Sequence, residues 1–543
     1  MDDAPGRIPP GTTGADAAGT GPSLTDDVAG DEAAAAVAAE GVEATTRQIR
    51  GSSLLLVGRV LGLALDFVAQ VLIVRYLSKS DYGAFALAMS VVALGTTMCL
   101  LGLERTLGRF TPIYEEQRDY ARMWGTILAI FTTVVTMGIA VVVGVYVLQG
   151  LIAGALKDDV ALGLLLILIV LAPLQALDSL LIAMFATFGS ARSIFFRRYV
   201  VAPLLQLGVV IALILTESGA LTLAIGYVAA SAIGIALYAV VLYRTLERSG
   251  LLRKLREQRI RPPVRELFTF SAPLLASDIV FVLRSSVTII LLGVLRSADE
   301  VADYRAVLPV AVQMLFVATS FRLIFTPGAS RLFARNDAKG LNDLYWQTAT
   351  WIALLTFPVF IVGLALGEPV AVFLFGEPYT GTGIILSTLV LGHYLSAAIG
   401  FNSLMLRVFG RVRFMMTVDL VTAVGCLVLT IVLIQRLGAL GAAIATSATL
   451  ITQNAWYQWG LRTRSSVHAF DRRFSRPYLS IVLGALAMLA ITIVTSPTLF
   501  IGLLWAAAIS ILVLLVNRST LRVLETYPEL ARLPFLRRLL QTG

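Results

Sequence analysis

From Gly51 onward the sequence divides into runs of apolar residues, each close to the length that carries a helix across a bilayer. Fourteen such runs can be drawn: 51–76, 84–104, 123–149, 160–187, 199–215, 220–243, 267–295, 304–325, 347–366, 382–405, 414–434, 439–461, 478–496 and 498–517. At about 1.5 Å of rise per residue, about 20 residues cover about 30 Å of hydrocarbon. Most of the runs lack the period-2 alternation of a barrel strand. A helix is then the structure that satisfies every backbone group in lipid. The expected fold class is an all-α polytopic membrane protein with about 14 transmembrane helices. With 57% hydrophobic and 14% charged residues, the chain cannot cover a soluble surface with polar groups, nor is it disordered. Two cysteines, Cys99 and Cys426, and two histidines, His393 and His468, are too few for a disulfide scaffold or a clustered metal centre. No cofactor is expected.

The scarce charges carry the topology. Residues 1–50 hold nine acidic and three basic residues among Gly, Ala, Thr and Pro, the composition of a disordered tail. With this tail inside, the segments on the same side are 105–122, 188–198, 244–266, 326–346, 406–413, 462–477 and 518–543. Together with the tail they hold 34 of the 43 Lys and Arg, while the opposite connections hold five. The positive-inside rule therefore predicts both termini in the cytoplasm of a cell-membrane protein. The basic loops then face anionic lipids, and nucleic acid is not an expected partner.

The chain also repeats itself. Phe110-Thr111-Pro112 recurs as Phe325-Thr326-Pro327, Gly189-Ser190-Ala191-Arg192 as Gly410-Arg411-Val412-Arg413, and Gly219-Ala220-Leu221 as Gly438-Ala439-Leu440. The offsets run from 215 to 221 and fall at equivalent places. A repeat of six helices gives two halves of the same orientation, related by an axis along the membrane normal. The expected organisation is a tail (1–50), a first lobe (51–248), a basic linker (249–266), a second lobe (267–463), two further helices (478–517) and a tail (518–543). Such symmetry suggests a transporter that rocks one lobe against the other.

The run Arg75-Tyr76-Leu77-Ser78-Lys79-Ser80-Asp81-Tyr82-Gly83-Ala84-Phe85-Ala86-Leu87 resembles a signature of the multidrug/oligosaccharidyl-lipid/polysaccharide (MOP) flippase superfamily, in its polysaccharide-biosynthesis, O-antigen flippase-like branch. Leu291-Leu292-Gly293 followed by Asp303-Tyr304-Arg305-Ala306, and the stretch from Phe325 to Phe333, are similar to its second-half counterparts. The resemblance covers roughly 50–517. It implies two parallel six-helix lobes in an inverted-V, MATE-like architecture, and transport of a lipid-linked oligosaccharide of the polyprenyl-pyrophosphate type. It also implies a coupling ion, H+ or Na+, and association with polysaccharide assembly enzymes. Asp303 stands where the family often has Gly, which bears on loop geometry.

Ionisable groups at membrane depth cost about 2.5–3.5 kcal/mol each on insertion scales and tend to face cavities or partners. Arg59 and Asp66 lie two turns apart on helix 1, hence on one face. Asp278 and Arg284 share helix 7, and the repeat sets Asp66 against Arg284. Arg59 and Arg284 are expected as cavity cations for pyrophosphate or an acidic sugar, because a guanidinium binds phosphate oxygens bidentately and stays charged. Asp66, Asp278 and His393 are the ion-coupling candidates. Asp178, with Gln175 one turn before it, is expected to line the cavity. Gln453 and Asn454 bind sugar hydroxyls or pair helices. Arg105, Arg109 and Arg322 either greet phosphate at an entrance or simply set topology. For Asp66, Arg59 and Arg284 the alternative is an ion pair that sets packing. Asp419 is expected to snorkel or to pair with Arg413. Pro273 is expected to bend helix 7 and so to move Asp278 and Arg284.

Three function classes follow. A flippase for a lipid-linked oligosaccharide comes first. A cation-coupled multidrug or lipid II exporter of the same fold is the alternative. A membrane glycosyltransferase or polymerase ranks last, because the opposite-side connections are short and no nucleophile or phosphate-loop motif stands out. The chain is expected not to be an enzyme.

Overall fold

The computed structural model describes residues 57–156, 158–189, 191–464, 468 and 470–518, with the side chains of 191, 256, 276, 283–285, 323, 324 and 464 outside the description. Both tails, apart from Arg518, lie outside the described residues. Among the described residues there is no β-strand. The membrane-length helices are α1 (Val57–Tyr76), α2 (Lys79–Glu116), α3 (Tyr120–Val147), α4 (Asp159–Phe188), α5 (Arg192–Leu215), α6 (Ala220–Arg248), α7 (Val264–Leu295), α8 (Ala298–Arg322), α9 (Ala338–Ala365), α10 (Gly383–Val408), α11 (412–437), α12 (439–464), α13 (Arg472–Thr495) and α14 (Leu499–Val516).

Twelve unbroken helices, or thirteen with the bent α7, are long and apolar enough to cross a membrane. The longest, Val412–Thr463, has 52 residues and would rise about 78 Å if straight, more than twice a bilayer core. It reverses at Gly438, whose φ of +57° and ψ of −131° suit glycine alone. A Cβ on Gly441 would lie 2.1 Å from the Leu433 carbonyl oxygen, a distance possible only if the chain doubles back. The segment is therefore two helices, α11 and α12, joined in a hairpin. The α7–α8 connection caps the turn from outside. Arg296 donates to the carbonyls of Ile434 (2.9 Å) and Gln435 (3.1 Å), and Glu300 accepts from the Ala439 N–H (2.8 Å). These groups are helix-end orphans that lipid could not satisfy.

Lipid gives helices little hydrophobic reason to associate, so close packing through small residues must supply the attraction. Where α2 meets α8, a Cβ on Gly83 would sit 1.8 Å from the Ala298 carbonyl oxygen. Where α7 meets α2, Gly293 receives the Leu87 side chain. Around these contacts Tyr82, Ala84, Leu87, Val301, Ala302, Tyr304 and Ala306 are buried. The backbone of α2 breaks at Leu101 and Gly102, both left-handed, and its second segment, Leu103–Glu116, runs along the start of α7.

That bracing bears on α7. Its 46° bend lies between Val282 and Ser286, not at Pro273 as expected. Around Pro273 the helix is held by α2, since the backbone of Ser271 and Leu275 touches Gly102. The basic linker is also held in place. After a short helix, Leu251–Glu257, the Arg261 N–H donates to the Ala121 carbonyl (3.2 Å), and Lys254 lies 3.8 Å from the Tyr120 ring centre. On the same side Arg473 grips Asp471 and Asp343, holding the Asp471 carboxyl down to about 2. The Tyr478 hydroxyl then ties α13 to the Ala398 carbonyl of α10 (2.6 Å).

Candidate functional site

Between α1 and α8 lies a cavity of about 530 Å3. Arg59, Asp66 and Gln70 line it from α1, and Arg305, Pro309 and Gln313 from α8. The steps from Arg59 to Asp66 (seven residues) and from Arg305 through Pro309 to Gln313 (four and four) are helical repeats, so each set occupies one face. Among the described residues no salt bridge joins Arg59, Asp66 or Arg305 to a partner. These are three ionisable groups on two membrane-length helices facing one space, with positive charge in excess. Such a space can take an anionic group through bidentate guanidinium contacts, with a carboxylate alongside for a proton or cation.

The side opposite the basic loops is shut. Arg75, at the end of α1, donates to the carbonyls of Leu374 (2.9 Å) and Phe373 (2.6 Å) in the short helix Gly367–Phe375. Lys79 and Asp303 form a salt bridge of 2.6 Å. Gln70 donates to the Tyr82 hydroxyl at the end of the cavity.

The seam between α2 and α7 is closed by side chains. Arg105 pairs with Asp278 at 2.7 Å. The Arg109 guanidinium sits 4.6 Å from the Phe270 ring centre. The Tyr114 hydroxyl donates to Glu266 (3.2 Å). The coupling candidate Asp278 and the entrance candidates Arg105 and Arg109 thus meet in this zipper and not in the cavity. Arg322 is exposed at the end of α8 and does not line the cavity.

The other sequence candidates separate. The Arg284 side chain lies outside the described residues, and on the facing half it is Arg305 that stands across from Asp66. Asp178 faces a different cavity, inside the first six helices, where Arg197 binds it through Nε (3.0 Å) and Nη2. The sequence placed Arg197 in a basic loop. Instead it is buried within α5, on a π-helical turn over Phe196–Val201, stacked on Tyr238. Gln453 and Asn454 are buried between α10, α11 and α12 and line neither cavity. Gln453 donates to Asp419, and Asn454 donates to Ser396 (2.8 Å) and accepts from Asn402 (3.0 Å). Asp419 therefore takes Gln453 and Tyr457 as donors, where Arg413 was expected. Of the two roles read for Gln453 and Asn454, helix pairing describes their contacts. His393 is buried on α10 with Nδ1 on the Leu389 carbonyl (3.0 Å), an intrahelical bond away from the α1–α8 cavity lining. In the sequence Arg305 stood out only as part of the motif Asp303-Tyr304-Arg305-Ala306, not as a site residue. Its fourfold spacing with Pro309 and Gln313 was the available signal.

A family model described as polysaccharide biosynthesis protein matches residues 72–384. A candidate O-antigen transporter from Shigella flexneri is 24% identical over 210 residues, 38% of this chain and 48% of that protein, so the chain matches about half the length of this relative. Among solved structures, the fold is similar to the lipid II flippase MurJ in an inward closed conformation, with a TM-score of 0.65 and 16% identity over 87% of this chain and 99% of that one. It is also similar to a multidrug resistance MATE family transporter of the MOP superfamily in an inward-facing conformation, with a TM-score of 0.60 and 13% identity over 74% and 94% of the two chains. At these identities the structural likeness is one of fold. The family model spans more than half of the sequence, and this multi-pass membrane protein belongs to the polysaccharide biosynthesis protein family.

Proposed function

We propose that the protein flips a lipid-linked oligosaccharide of the polyprenyl-pyrophosphate type from the inner to the outer leaflet of the cell membrane, by alternating access between its two six-helix sets. The observation that carries this reading is the α1–α8 cavity, where Arg59 and Arg305 face one carboxylate, Asp66. Two guanidiniums against one acid suit a pyrophosphate, whose oxygens each can accept a charge-assisted hydrogen bond. The same balance is wrong for a cationic drug. The fold is common to a lipid II flippase and a multidrug transporter, so fold alone does not choose the cargo; family membership and cavity charge favour the oligosaccharide lipid. Asp66 is the ion-coupling group in this reading, taking H+ or Na+. The 34-to-5 distribution of basic residues supports cytoplasmic termini, with the basic loops against anionic lipids.

Deleting the gene in its host should deplete the surface glycan and leave lipid-linked precursor in the inner leaflet. Re-expressing the wild-type chain should restore display, and Arg59→Ala at equal membrane abundance should restore less than a tenth of it. A deletion strain with normal surface glycan overturns the reading.

A further inference from the structure

The cavity that holds Asp178 is a separate space of about 390 Å3, enclosed by α2, α4, α5 and α6. It lies within the size range of small-molecule sites, about 300–1,000 Å3. Four charged side chains line it: Glu104, Asp178, Arg197 and Arg198. Their formal charges cancel, and Asp178 and Arg197 are already joined. A free anion or cation entering here meets no excess of opposite charge, unlike an anion in the α1–α8 cavity. What the space does offer is uncharged hydrogen-bonding capacity. Gln175 and Gln206 each bring a carboxamide that donates and accepts, and Ser231 brings a hydroxyl that does both. Such a lining matches a ligand whose own groups are each donor and acceptor, as vicinal hydroxyls are.

The backbone points the same way. Successive residues of an α-helix point about 100° apart, yet Arg197 and Arg198 both line this cavity. They do so from the π-helical turn at Phe196–Val201, a rare geometry found mostly as single turns and frequently at functional sites. The turn also backs onto α1. Cβ atoms on Gly58 and Gly62 would lie 2.7 and 3.1 Å from the Tyr199 ring, so the helix that carries Arg59 and Asp66 rests directly on the wall of the second cavity. Two neighbouring sites of different chemistry, one cationic and one charge-balanced, share that helix.

We propose that the cavity among α2, α4, α5 and α6 binds an uncharged saccharide unit of the cargo, through Gln206, Ser231 and the open edges of the Asp178–Arg197 pair. This rests on the reading of the cargo as a lipid-linked oligosaccharide and adds a sugar subsite distinct from the pyrophosphate cavity.

The test uses the full-length chain in nanodiscs and saturation-transfer NMR with glucose, galactose and N-acetylglucosamine as probes. Inorganic pyrophosphate is titrated separately on the wild type. At least one sugar should give a saturable signal that falls at least fivefold in both Gln206→Leu and Ser231→Val, each checked for a wild-type thermal transition. The proposal is overturned if none of the three sugars binds the wild type, or if the signal survives both substitutions. It is also overturned if pyrophosphate competes with the sugar. Sugar binding without any pyrophosphate binding would leave the subsite standing and remove the cationic-cavity reading. Pyrophosphate binding without sugar binding would do the reverse.

Discussion

The α2–α7 and α1–α8 seams are counterparts under the sequence repeat, which pairs α1 with α7 and α2 with α8, yet they are built oppositely. Along α2–α7, opposite charges meet, Arg105 with Asp278, and an arginine lies on a ring, Arg109 on Phe270. Along α1–α8, Arg59, Asp66 and Arg305 face a space, and among the described residues no salt bridge joins any of the three to a partner. A charge held in a membrane protein without a partner is costly, so its retention calls for a ligand to meet it. The comparison teaches that in this chain an intramembrane charge is informative only once its partner is known. Asp278 and Asp66 look alike in sequence, but one is a fastener and the other lines an open cavity.

The sharpest way to break the comparison is Arg305→Ala. Losing charge-assisted bonds of about 1.5–3 kcal/mol should slow flipping of a pyrophosphate-linked lipid in proteoliposomes about 10- to 100-fold, with the thermal transition unmoved. An equal loss of transport from Arg105→Ala would erase the distinction between the seams. Asp419→Ala comes next. It strands the donors Gln453 and Tyr457 in a buried network and should cost about 1–3 kcal/mol of stability in a denaturation series, while the pyrophosphate affinity of the protein that remains folded is unchanged. The smallest effect belongs to the zipper itself. Arg105 is more than half exposed, so the Arg105–Asp278 coupling in a double-mutant cycle should be at most about 1 kcal/mol. A coupling of several kcal/mol would mean that this seam is as shielded as the protein interior.

The helices and the turn at Gly438 were legible because each is a local property: runs of apolar residues, a glycine between two runs. Family membership was legible from the Arg75–Leu87 run and its echo in the second half. The site was half legible. Arg59 and Asp66 share a face by spacing alone and do line one cavity. What the sequence could not display is which distant group stands opposite. Arg105 and Asp278 are 173 residues apart, and Gln453 and Asp419 are 34 apart. The positive-inside count also treated Arg197 as a loop charge, because that rule reads a basic residue near a helix end as topogenic. Only the π turn and Asp178 show why a guanidinium can be buried there.

The Gly438 reversal has a consequence for how the chain is made. Its helix ends are capped by Arg296 and Glu300, residues synthesised well over a hundred positions earlier, and no loop of useful length separates α11 from α12. These two helices therefore share a tight turn whose backbone groups are satisfied only once it meets the α7–α8 corner. A reporter or affinity tag inserted at Gly438 would block that docking, so topology reporters belong in the longer connection between α9 and α10.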